Sequence, residues 1–241
     1  MGRKYEVRKE SMQKTGLRKS KLYARFGKEI YVCAKQGGTN VEANLALKHL
    51  IERAKKEEVP MDIIERNIKK ADSQDASDYE AVRYEGFGPG GSAFLIDCLT
   101  DNLNRTVGEV RFCFTKIDSK MGVRGSVEYL FEHLSVLEVD QTDEDLLLET
   151  LLSANIEVHD IQSLEQGYLI IADGYDLDAI ENAFRQASFN ILSSKRGWFA
   201  KDSVTLNEAD ESKFRMFLDM VNELDDVQAV YHNVDVSEDE T

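Results

Sequence analysis

The sequence predicts a multi-domain α and α+β protein, with a small helical N-terminal domain followed by two α+β domains of ferredoxin-like type, one inserted in the other. Three observations carry this reading. The chain has 241 residues, more than one typical compact domain. Its charge changes sign along its length: residues 1–72 carry a balance of +8 and residues 73–241 one of −23, within a total of −15. Its apolar pattern also changes, from helical steps of three and four to short runs alternating with helices beyond residue 79.

From Leu17 onward, Leu22, Phe26, Ile30 and Cys33/Ala34 form one apolar stripe, which Gly37-Gly38 ends as a left-handed cap would. Thr39-Asn40-Val41-Glu42 has the form of a capping box, so a second helix is predicted from about residue 40, burying Leu47, Leu50, Ile51 and Ala54. Pro60 suits the first turn of a third helix, with Ile63, Ile64 and Ile68 apolar and Arg66, Lys69 and Lys70 near its negative end. The polar stretch "DSQDASDYE", residues 72–80, reads as a linker. Beyond it, strands are predicted near 80–86, 92–99, 126–132, 134–140, 156–161, 167–173, 190–199 and 226–233. Helices are predicted near 104–118, 143–153, 177–188 and 208–224.

From residue 134 the order β-α-β-β-α-β fits a ferredoxin-like unit. The expected division is therefore 1–75 for the basic arm and helical domain, 79–133 plus 206–241 for one α+β domain, and 134–205 for the inserted one. Two consecutive domains sharing a sheet would fit the same periodicity. The acidic tail "VDVSEDET" is expected to be disordered.

The first 28 residues hold ten cations, Arg3, Lys4, Arg8, Lys9, Lys14, Arg18, Lys19, Lys21, Arg25 and Lys28, against Glu6 and Glu10. Such an arm points to a polyanion, with a solvated tail as the plain alternative. Arg18, Lys19, Lys21, Arg25 and Lys28 fall mostly away from the apolar stripe and are expected to stay available. Cys33, Cys98 and Cys113 are widely spaced within apolar patterns and read as buried reduced thiols. No apolar run approaches the roughly 18 residues that span a bilayer, the basic start lacks a following apolar region, and Glu6 stands where a myristoylation signal has Ser or Thr. A cytoplasmic protein without membrane association is expected.

"GFGPGG" places Gly86, Gly88 and Gly91 in the order G-x-G-x-x-G, with Pro89 and Gly90 between. A dinucleotide loop leads into a helix, whereas this one leads into the strand-like "SAFLIDCL". No kinase lysine, catalytic loop or D-F-G follows, and Pro89 removes an N–H donor from any phosphate cradle. A hairpin connection is the better reading, and a nucleotide-binding enzyme using residues 86–91 is the alternative ranked last. In "TDNLNRT", Asp101, Asn102 and Asn104 are turn and cap residues, and Thr106-Val107-Gly108-Glu109 is a second capping-box pattern. Arg105 is then a cation beside the positive end of a helix, a placement that makes sense if it pairs with Asp101 or another carboxylate, or if it helps receive an outside anion. The internal pair is favoured. His49, His133, His159 and His232 are scattered, and no metal-binding, nucleophile or acid–base pattern accompanies them. The chain is read as non-enzymatic, with no cofactor and no metal.

Taken together, "SKLYARFGKEIYVCAKQGG", "NLALKHLIERAKKEEVPMDIIERNIKKA", "YEGFGPGG", "CLTDNLNRT" and "GSVEYLFE" resemble the YebC/PmpR family, over about residues 1–234. The start "MGRKYEVRK" lacks the tryptophan of the "AGHSKWANIKHRK" branch and is closer to the branch beginning M-G-R-K. The resemblance implies a helical domain and two α+β domains without known catalytic activity. It implies a regulator of gene expression, acting either as a DNA-binding transcriptional regulator or at the ribosome, on ribosomal RNA, in aid of proline-rich synthesis. Either role would use the basic head against a phosphate backbone.

Overall fold

The computed structural model describes residues 3–73, 78–141 and 143–235, with side chains described from residue 19 onward. The basic start is the first part of one helix, α1 (Arg3–Gly37), where the sequence suggested an arm leading into a helix at Leu17. Lys, Arg, Glu, Gln and Met dominate its early turns, and such straight-chain residues favour helix. Gly38, at φ 91°, ends it as predicted. The α2 helix (Leu45–Lys56) starts later than the Thr39 capping box implied, because its cap is Asn44. The Asn44 side chain accepts from Leu47 N at 3.1 Å and donates to Cys33 O and Gly38 O, so one buried amide both starts α2 and holds it against the end of α1. Pro60 caps α3 (Met61–Ala71). Phe26, Ile30 and Ala34 pack with Leu47, Ile51, Ala54, Val59 and Ile64 to form the core of this helical head.

Two antiparallel four-stranded sheets complete the chain. The first has the order β3-β1-β2-β8, from β1 (Glu80–Phe87), β2 (Ala93–Thr100), β3 (Lys120–Met121) and β8 (Val227–His232). Helices α4 (Leu103–Lys116) and α7 (Glu208–Asn222) cover one face, where Phe94 meets Phe217 at 4.4 Å and Phe217 meets Phe114 at 4.6 Å between ring centroids. The second sheet has the order β5-β6-β4-β7, from β4 (Phe131–Asp140), β5 (Val158–Ser163), β6 (Tyr168–Asp173) and β7 (Asn190–Ala200). Helices α5 (Glu144–Ser153) and α6 (Leu177–Gln186) connect its strands in the ferredoxin-like order, and Leu137, Val139, Leu147, Ile170, Ile180 and Phe184 fill its core. The fold class read from the sequence is the one observed. The other face of the first sheet, with Ala93 and Leu95, packs on Val127, Phe131 and Trp198, joining the two sheets.

The strand predicted near 126–132 is instead a turn and a short 3-10 helix at Glu128–Leu130. Its cause is the Glu85 carboxylate, 1% exposed, which accepts from the backbone N–H groups of Gly125, Val127 and Glu128 at 2.6, 2.8 and 3.0 Å. Those donors are lost to any strand partner. The three cysteines are free thiols, and burial pushes Cys98 up to about 12.

The glycine loop closes a hairpin, with β1 and β2 in register from Glu80 opposite Thr100 to Phe87 opposite Ala93. Gly90 and Gly91, at φ 62° and 82°, supply the turn. Gly86 has a different reason, since a Cβ there would lie 2.6 Å from the Phe114 ring. Replacing Gly86 with Ala is expected to cost about 1–3 kcal/mol through overpacking, read as a fall of several degrees in the melting temperature; an unchanged melting temperature would deny the packing role.

Candidate nucleic-acid interface

The cations proposed from sequence lie along α1. Arg3, Lys4, Arg8, Lys9, Lys14 and Arg18 are on its backbone, and their side chains lie outside the described residues. Lys19 pairs with Glu58 at 3.1 Å in open solvent, an arrangement that screening makes weak. The next three were expected to stay available, and their positions correct that expectation. Lys21 meets Glu223 at 2.7 Å, Arg25 donates to Asn222 Oδ1 at 3.2 Å, and Lys28 meets Asp226 at 2.7 Å. The reason is spacing: residues 21, 25 and 28 share one face of α1, and that face is laid on the end of α7 and the turn leading to β8.

Lys28 belongs to a cluster that sequence reading missed. Asp226 is 2% exposed, and a buried carboxylate is costly unless donors surround it. Four side chains do so. Lys28 reaches one oxygen at 2.7 Å; Arg105 at 2.7 Å, Thr106 at 2.8 Å and Thr100 at 3.0 Å reach the other. Burial alone would raise the Asp226 pKa, but the hydrogen bonds from Lys28, Arg105, Thr106 and Thr100 outweigh it and hold the carboxyl well below the usual carboxylate range.

The "TDNLNRT" stretch is thereby explained. Arg105 pairs with Asp101 at 2.8 Å as well as with Asp226, so the internal pair favoured from sequence is present and the Arg105 charge is held by two carboxylates. These bonds raise its already high pKa further. The cap of α4 is Asn102, which accepts from Arg105 N at 3.1 Å, one turn earlier than the Thr106 capping box suggested. Thr106 is fully buried in the second turn, its hydroxyl 2.7 Å from that of Thr100. Asn104 is exposed in the first turn of α4. Gly86, Gly88, Pro89, Gly90 and Gly91 lie in the hairpin at the far end of β1 and β2 from this cluster. The pairing register separates them from Asp226 by the length of the strands. Among the described residues, Lys28 is joined to Arg105 and Thr106 of the second signature around this one acid.

Other cations on the head are exposed, Lys70 among them with its ammonium over the Tyr31 ring. Lys55 and Lys56 end α2, and Lys69 and Lys70 end α3, near the negative ends of both helices, with Arg66 midway along α3. Two clefts, of about 540 and 640 Å³, are lined by mixed acids and bases, such as Glu29, Arg83, Asp97 and Arg124 in the first and Arg53, Asp178 and Arg196 in the second. Neither includes residues 86–91. Among the described residues no group of three or more His, Cys, Asp or Glu is arranged to hold a metal, and no helix is long and apolar enough to cross a membrane.

A helical head clamped by a buried acid to two joined antiparallel α+β sheets defines a particular class of three-part protein. Family models describing the TACO1/YebC protein N-terminal domain and the TACO1/YebC second and third domain match residues 3–74 and 79–234. This chain belongs to the TACO1/YebC family. It is 42% identical to a "Probable transcriptional regulatory protein" of Alteromonas mediterranea over 97% of this chain and 98% of the relative. It is 43% identical to one of Vibrio cholerae, over 98% of this chain and all of the relative. Among solved structures it is similar to a conserved hypothetical protein, Aq1575, from Aquifex aeolicus, at 34% identity, TM-score 0.72 and 92% coverage of both chains.

Replacing Asp226 with Ala leaves Lys28 and Arg105 without their acid and is expected to cost about 3–5 kcal/mol of stability. Because its folded-state pKa is depressed, the carboxylate contributes its full stability above the ordinary carboxylate range, and that stability is lost as pH falls through the folded value. The stability difference between wild type and Asp226→Asn in denaturant melts across pH 2–6 should narrow steadily toward the acid end; parallel curves would contradict the assignment.

Proposed function

We propose that this chain is a non-enzymatic, cytoplasmic, nucleic-acid-binding regulator of gene expression that meets its target through the basic head. The observation that carries this is the charge division, +8 over residues 1–72 against −23 over the rest. A polyanion is drawn to the head by release of its counterions and is repelled by the remainder. The shared name of the relatives, "Probable transcriptional regulatory protein", supports a role in gene expression.

Ribosomal RNA is the target favoured over a DNA operator. A helix that reads the major groove presents its N-terminal residues to base edges. Here α3 begins Met61-Asp62 and carries no cation before Arg66 in mid-helix, while Lys69 and Lys70 sit at the opposite end; α2 has no cation before Lys48. Cations at helix ends suit contact with a shaped phosphate backbone. We treat 1–75, 79–133 plus 206–241, and 134–205 as the three domains, a division supported by β8 joining the sheet of β1–β3 after the whole second sheet has intervened. The acidic domains then act as a spacer or a protein-contact surface. A nucleotide-binding enzyme built on residues 86–91 remains the last-ranked alternative.

Extract sedimented through a sucrose gradient at low and moderate salt, with crosslinked nucleic acid sequenced, should place the protein with ribosomes and ribosomal RNA; discrete promoter fragments would transfer the role to DNA. Lys19→Glu, Lys21→Glu and Arg25→Glu together should weaken binding at least tenfold and lower the salt slope by about 2–3; the lost contacts with Glu58, Glu223 and Asn222 lower the melting temperature, and far-ultraviolet circular dichroism at the assay temperature checks that the variant is folded. Undiminished binding would refute the head as the contact surface.

A further inference from the structure

We infer that the end of α7 and the turn after it, Asn222–Asp226, form a built-in competitor for the cation row of α1, so that a nucleic acid gains Lys21 and Arg25 only by displacing the first part of this segment. The inference rests on the reading of the head as the polyanion-binding surface and adds to it a regulatory contact within the chain.

The row presents cations at positions 21, 25 and 28, one face of a helix. What it meets is negative in three ways. The last turn of α7 carries no basic residue of its own; the carbonyls of Asp219, Met220 and Val221 accept from the backbone N–H groups of Glu223 and Leu224, which leaves the Asn222 carbonyl to an outside donor. Lys21 supplies one, donating to Asn222 O at 3.3 Å while pairing with Glu223 at 2.7 Å. Lys28 donates to Asp225 O at 2.8 Å and to the Asp226 carboxylate. Carbonyls and carboxylates spaced along a helix end thus occupy the places that phosphate oxygens would take.

The row is graded in its hold. At one end, Lys28 and Asp226 are largely buried, with side-chain exposures of 17% and 3%, and Asp226 is tied further to Arg105, Thr100 and Thr106. At the other end Glu223 is 74% exposed, so its bond to Lys21 is open to water, to salt and to a competing anion. Arg25 lies between them, with the Glu29 carboxylate as a charged neighbour on its own helix. Its guanidinium is partly buried, and among the described residues its one hydrogen bond goes to the neutral Asn222 amide. A phosphate would give it a charged, bidentate acceptor in place of that amide. Lys28 with Asp226 therefore acts as the fixed pivot, and Lys21 with Arg25 as the part that changes partners.

The test uses the full chain and a fluorescein-labelled 24-nucleotide RNA hairpin, with affinity read by anisotropy at about 0.1 M salt, where the Debye length is about 10 Å. Asn222→Ala with Glu223→Gln should tighten binding at least threefold. Glu208→Gln removes one negative charge at the opposite, exposed end of α7 and should leave affinity within twofold, which separates local competition from general charge. Unchanged or weaker binding by the Asn222/Glu223 variant, or equal tightening by Glu208→Gln, overturns the competitor. Lys21→Glu with Arg25→Glu, in the same assay, distinguishes the two levels. If that pair weakens binding while the Asn222/Glu223 variant changes nothing, the head reading stands and the competitor falls. If that pair is silent, the head reading falls and takes the competitor with it. Thermal melts of every variant confirm that each is folded.

Discussion

The carboxylate of Asp226 is the constraint on which the arrangement of the molecule depends. A charge buried in a protein is tolerated only where its oxygens are met by donors, and here these come from three separate elements. Lys28 comes from α1, Arg105 and Thr106 from α4, and Thr100 from the end of β2. None of these elements can shift far without stranding a charge. The head is consequently seated on the first sheet by a bond that is both polar and buried, while its own core of Phe26, Ile30, Leu47 and Ile51 is built separately. The same acid resolves the awkward position of Arg105 at the positive end of α4, since two carboxylates compensate the helix charge beside it.

This seat sets up a tension between the two halves of the chain. A strongly basic head docked on an acidic body is attracted to it by the same forces that would draw it to a nucleic acid. The contact grades from a sheltered pair at Lys28 to an exposed one at Lys21, and the proposed exchange of partners rests on that gradient. Net negative charge on the two sheets limits how much of the molecule can lie along a phosphate backbone.

Much of the fold was legible because it obeys local rules. The apolar steps of α1, the left-handed stop at Gly38 and the alternation of strands and helices beyond residue 79 placed nearly every element. The glycine loop could be assigned to a hairpin because it leads into "SAFLIDCL", a short apolar run of strand length, where a phosphate loop would open a helix. Capping boxes misled twice, since Thr39 and Thr106 satisfy the pattern while Asn44 and Asn102 make the caps. A cap is chosen by where the chain turns, and that is set by packing against α1 and β2. Glu85 and Asp226 were hidden for a related reason. Nothing in "YEGF" or "LDDV" marks one acid among 45 as buried; that requires knowing which donors the fold converges on it. The availability of Lys21, Arg25 and Lys28 was overestimated because helical spacing shows which face of α1 avoids its own core, and is silent on what another element brings to that face.

Contact between the head and nucleic acid is the claim on which the functional account stands. The most direct measurement is ultraviolet crosslinking of the protein in living cells, with digestion and mass spectrometry to locate nucleotide adducts on its peptides. The account predicts adducts concentrated in residues 1–72, with few on the acidic sheets. Adducts confined to residues 79–234, or their absence from the head under conditions that label other nucleic-acid-binding proteins, would contradict it.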